Sequence, residues 1–92
     1  MNEAKSGAVV ISKSGRDSGR YFVVVRIVND DYVYIVDGEL RKLEKPKLKK
    51  VKHLKFTGDV LEGIAAKLSE GKQIFDSEIR SAVRKYAEKI GG

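Results

Sequence analysis

Residues Arg20–Val28, RYFVVVRIV, followed after Asn29-Asp30-Asp31 by Tyr32–Val36, YVYIV, decide the fold. β-Branched and aromatic residues fill both segments, and such side chains fit a pleated surface. The middle of the first segment is apolar on both alternating faces. That predicts a strand buried on both sides or bent through a barrel. Upstream, Ala8-Val9-Val10-Ile11 reads as a short strand ending at Ser12-Lys13, and Ser14–Gly19, SGRDSG, as a glycine-bracketed loop. Downstream, Asp37-Gly38 predicts a type I′ hairpin whose return strand runs through Leu40-Arg41-Lys42-Leu43. Short strands at close spacing with tight turns predict a small barrel rather than a parallel sheet.

Pro46 has no N–H to give a ladder, so residues 45–52 are expected as an irregular or edge segment. After Gly58 the apolar period changes from two to about 3.6. Asp59 stands at capping-box spacing from Glu62, and Val60, Leu61, Ile64, Ala65 and Leu68 share one face, with Gly71 as the stop. A second helix starts at Asp76 or Ser77. Ile79, Ala82, Val83, Tyr86, Ala87 and Ile90 line its apolar face. The chain is therefore expected to be mainly β with C-terminal α: a barrel over residues 7–57, then a helical extension over 58–92 packed on it.

Charge is distributed unevenly. The segment Arg41–Lys55, RKLEKPKLKKVKHLK, holds eight basic residues and one acid, a net +7, whereas the whole chain nets +6. The positive excess is local. One or two lysines suffice to protect a sheet edge from aggregation, and this segment carries many more. Leu43, Leu48, Val51 and Leu54 punctuate it, which suggests a tethered surface rather than a free tail. A dense cationic strip on a small basic protein is the footprint of a nucleic-acid binder.

Ninety-two residues fit one domain. The absence of cysteine excludes disulfides, thiolate metal sites and cysteine nucleophiles. No apolar run approaches the roughly 18 residues of a membrane span, and the N-terminus lacks a signal peptide's apolar core, so a cytoplasmic protein with no membrane partner is expected.

The block Gly7–Gly38 resembles a KOW motif in its apolar first strand, its glycine-bearing loop followed by Gly19-Arg20, and its long apolar second strand. With its continuation LRKLEKPKLKKVKHL it is similar to the L14e-like ribosomal proteins, most of all to short bacterial KOW-domain proteins. The resemblance implies an SH3-like β-barrel that contacts RNA, typically ribosomal RNA. It assigns Lys13, Arg16 and Arg20 at the first loop to the RNA face, with Lys45, Lys47, Lys49, Lys50, Lys52 and His53 from the strip. The strip's charge adds Arg41, Lys42 and Lys55. Lysines supply point charges to phosphates, and arginines bind bidentately or stack on bases. Tyr21, Phe22, Tyr32 and Tyr34 are candidate stacking platforms, although aromatics inside apolar strands are more often core.

Catalysis is not expected. His53, the one histidine, lies inside the lysine run without an obvious carboxylate partner. Gly15 and Gly19 lack the lysine and hydroxyl residue of a phosphate-chelating loop. Asp30-Asp31 is ordinary turn chemistry. No cofactor, metal or small-molecule substrate is implied. Electrostatic, shape-led RNA binding is the first reading. A protein-interaction module docking a ribosomal or transcription partner through the helices or the barrel is the second, and non-specific DNA binding a weaker third.

Overall fold

Five strands account for the β-rich part: β1 (Ala8–Ser12), β2 (Tyr21–Ile27), β3 (Tyr32–Val36), β4 (Lys47–Lys50) and β5 (Leu54–Val60). The structure is a computed structural model, which describes residues 4–91. All pairings are antiparallel, in the order β4-β3-β2-β1-β5. Two helices follow, α1 (Glu62–Glu70) and α2 (Asp76–Gly91).

The connection between β4 and β5 fixes the shape of the sheet. These strands occupy opposite edges, yet only one 3₁₀ turn, Val51–His53, separates them in sequence. Laid flat, five strands spaced about 4.8 Å apart would hold the edges about 19 Å from each other. The four Cα steps from Lys50 to Leu54 reach about 14 Å even when fully extended. The sheet must curl. No ladder joins β4 to β5 among the described residues, so it remains open. The turn is pinned on both sides: Val51 N–H donates to Asp31 O and Lys13 N–H donates to His53 O, each at 2.8 Å.

Curling explains why β2 is apolar on both faces. Phe22 and Val24 point into the concave side with Val10, Val33, Ile35 and Leu54. Val23 points to the convex side, where Val36 meets Ile64, Ile79 and Val83 of the helices. Phe22, Val23 and Val24 are all fully buried. One strand thus belongs to two cores. Burial of this kind, at about 25 cal/mol per Å² of apolar surface, dominates the stability of so small a domain.

Several local expectations are corrected. Leu40–Leu43 is not a strand, and Asp37-Gly38 is not a type I′ turn. Such a turn needs positive φ at both central residues, and only Gly38 has it, at 78°. Asp37 Oδ1 instead accepts the N–H groups of Glu39 and Arg41, and Leu43 N–H donates to Asp76 Oδ1 on α2. A loop stapled to the helix results, and the return strand forms only after Pro46. Asp59 is not the cap of α1 and Val60 is not on its apolar face: both lie in β5, Leu61 takes the cap position with no side-chain bond, and Asp59 Oδ2 accepts the Tyr86 hydroxyl at 2.6 Å. Ile90 is 55% exposed rather than buried, near the far end of α2. Gly71 does end α1, in the left-handed conformation.

Candidate nucleic-acid interface

The strip lies on the surface through its apolar residues. Leu43 packs against the helical cluster, Val51 against the concave core, and Leu54 is buried. The cations between and beside these tethers differ in exposure. Lys42, Lys45, Lys50, Lys52 and Lys55 are exposed, while Lys47, Lys49 and His53 are half-buried. No salt bridge among the described residues joins Lys42, Lys45, Lys47, Lys52 or Lys55 to a carboxylate. A cluster of unneutralised ammonium groups raises the local potential and favours a polyanion.

The first loop meets this strip. Lys49 Nζ donates to Ser14 O at 3.3 Å, and the Lys13–His53 backbone bond holds the other side. Lys13 and Arg16 are exposed on that loop. Gly15 and Gly19 both take positive φ, 77° and 86°, which lets the loop turn back on itself. The structure therefore gathers Lys13, Arg16, Lys49 and His53 around one edge.

Arg20 and Arg41 are used differently. Arg20 Nη2 bridges Asp37 at 3.3 Å and Glu39 at 3.6 Å, and Arg41 Nη2 bridges Asp17 at 3.1 Å. Both guanidiniums are tied to carboxylates that shape the loops.

Alternation sorts β4 further. Lys47 and Lys49 pair with Ile35 and Val33, on the concave side, and Leu48 and Lys50 pair with Tyr34 and Tyr32, on the convex side. A one-residue bulge in β2 affects the same surface. The register slips between Val24 and Arg26, so Arg26 faces Tyr34 across the strand pair instead of turning inward. Arg26, Tyr32, Tyr34, Leu48 and Lys50 consequently share the part of the convex face that the helices leave open. Tyr32 and Tyr34 are half-buried, and Lys50 Nζ sits 5.8 Å from the centre of the Tyr32 ring. Of the candidate aromatics, Phe22 is core and Tyr21 packs edge-on against Tyr86. The bulge that sets the face of Arg26 gives no signal in the sequence, because Val23, Val24 and Val25 are apolar whichever face each one takes.

No group of three or more metal-ligating side chains occurs among the described residues, and no helix among them is long and apolar enough to cross a membrane. No model of a known protein family matches the chain, and no curated protein matches it.

Proposed function

We propose that this chain is a non-catalytic RNA-binding protein that grips ribosomal or other structured RNA along the lysine-rich edge and the first loop. In this reading the curled sheet is an SH3-like barrel of the KOW type, as the sequence resemblance implies. The observation that carries the proposal is the Lys49–Ser14 contact, because it brings the strip and the loop into one continuous cationic edge. Exposed lysines read phosphate spacing rather than base identity, so affinity should be salt-sensitive and weakly sequence-dependent. If about six phosphates are neutralised, log K should fall against log salt with a slope of about −4 to −5. Replacing Lys47, Lys49, Lys50 and Lys52 by glutamine should flatten that slope by several units. An unchanged slope and affinity in this variant would overturn the reading.

A second reading, a protein-interaction module, is favoured by Phe75 and Ile90, 56% and 55% exposed at the two ends of α2. Phe75→Ser would then abolish association with a ribosomal or transcription partner while RNA affinity stays intact.

A further inference from the structure

The open part of the convex face has a chemistry distinct from that of the lysine edge. Two tyrosines stand there at alternate positions of one strand, roughly 6.8 Å apart along it, with neither ring committed to the core. Arg26 flanks Tyr34 on the β2 side and Leu48 flanks it on the β4 side, while Lys50 lies over Tyr32. These five positions hold two cations and no acid, and Asp30 and Asp31 form the turn between β2 and β3 that directly precedes Tyr32. The ordinary fate of aromatic residues in a strand is burial, yet Val36, the next residue on this face, is fully buried under the helices. Helical cover stops short of Tyr34. A bulge then turns an arginine toward that ring.

We infer that this face is a stacking platform for unpaired RNA bases: Tyr32 and Tyr34 receive successive base rings, and Arg26 and Lys50 meet the phosphates beside them. The inference rests on the RNA-binding reading and deepens it, because it assigns single-stranded RNA to the convex face, which shares Lys50 with the strip, and leaves phosphate-only contacts to the rest of the lysine edge. Charge complementarity favours a polyanion here, and only a nucleic acid supplies flat π-faces at the same repeat as its charges. Arginine beside an aromatic ring strengthens such a site, since its guanidinium plane stacks on bases as well as pairing with phosphate.

The test is fluorescence anisotropy on the full chain with two ligands, an oligouridylate of about ten nucleotides and a duplex RNA. Tyr32→Ala and Tyr34→Ala should each weaken oligouridylate binding by about 5- to 150-fold, the range for loss of one base–aromatic stack. Tyr34→Phe should restore it to near wild type, because the ring remains. Duplex affinity should be the same in all variants. Photocrosslinking of wild-type protein to 5-iodouridine RNA, read by mass spectrometry, needs no variant to fold and should label Tyr32 or Tyr34. Alanine variants that melt normally and bind oligouridylate as wild type does, or crosslinks confined to other residues, would overturn the platform while leaving the lysine edge standing. Failure of the wild-type chain to bind either RNA would overturn both.

Discussion

Arg41 and Asp17 hold two loops together across 24 residues of sequence: Nη2 of the guanidinium donates to Oδ2 of the carboxylate at 3.1 Å. The Asp17 side chain is 10% exposed and that of Arg41 35%, so the acid depends on the pair far more than the base does. Water cannot replace the arginine around a carboxylate so enclosed. Arg41→Met should therefore cost about 1–3 kcal/mol, the penalty for leaving a buried polar group without its partner. In a domain of this size each kcal/mol lowers the melting temperature by about 4–8 °C. Asp17→Asn combined with Arg41→Met should lose less than the two single changes added together. Strict additivity, measured by thermal melts of all three variants, would show that the pair is not coupled.

Gly38 is held against α2. Its φ is +78°, and a Cβ placed there would strike the Asp76 carbonyl oxygen and come within 2.7 Å of Arg80 N. Both obstacles are helix backbone and cannot swing aside. Gly38→Ala combines left-handed strain of about 1–2 kcal/mol with overpacking of about 1–3 kcal/mol. Gly19 has a similar φ, +86°, and nothing within 4 Å of the same position. Gly19→Ala should show the strain alone. Equal losses of melting temperature in the two variants would contradict this account.

Sequence periodicity located β1, β2, β3 and α2 because each buries its own apolar pattern, and a pattern is a local property. The double-sided apolar run of β2 predicted burial on both sides or a bend through a barrel, and the strand is buried on both faces. What escaped was decided by contacts distant in sequence. Asp37-Gly38 has hairpin chemistry, but the Asp76 carboxylate reaches Leu43 N–H from 33 positions away and holds the segment as a loop. Asp59 has cap chemistry, but the Tyr86 hydroxyl claims it. The candidate site divides in the same way. Charge density marked the lysine edge, whereas nothing in the spelling separates Arg20 and Arg41, which hold carboxylates, from the lysines beside them.

The two isoleucines at the ends of α2's apolar face should behave very differently. Ile79 is fully buried and Ile90 is 55% exposed. Truncating a buried isoleucine to alanine removes about 2–5 kcal/mol, a large share of a small domain's stability. Ile79→Ala should accordingly unfold or nearly unfold the protein at ordinary temperature. Ile90→Ala should fall within about 0.5 kcal/mol of wild type, as surface changes do. Comparable losses, seen in urea midpoints, would mean that the far end of α2 is covered after all.

Acid should loosen the contact between the helices. Lys67 of α1 donates to Glu78 Oε2 of α2, and Phe75 N–H donates to Glu78 Oε1. The hydrogen bond from Lys67, then that from Phe75, holds the Glu78 carboxyl below its ordinary range; burial opposes them by less than either, and the Lys67 charge adds a still smaller lowering. A carboxyl with a lowered folded pKa takes up its proton more readily in the unfolded chain. Acidification therefore drains stability: the contribution is complete above the ordinary carboxylate pKa and is lost as pH falls through the lower folded value. Glu78→Gln removes the charge while keeping an acceptor for Phe75 N–H, since glutamine also serves at this capping position. The variant should melt below wild type at pH 7, by a modest margin because both side chains are partly exposed. That margin should shrink steadily once the pH drops below about 4, where free glutamate protonates. A margin that stays constant from neutral pH down to about 3 would show that the stabilisation does not come from the Glu78 charge.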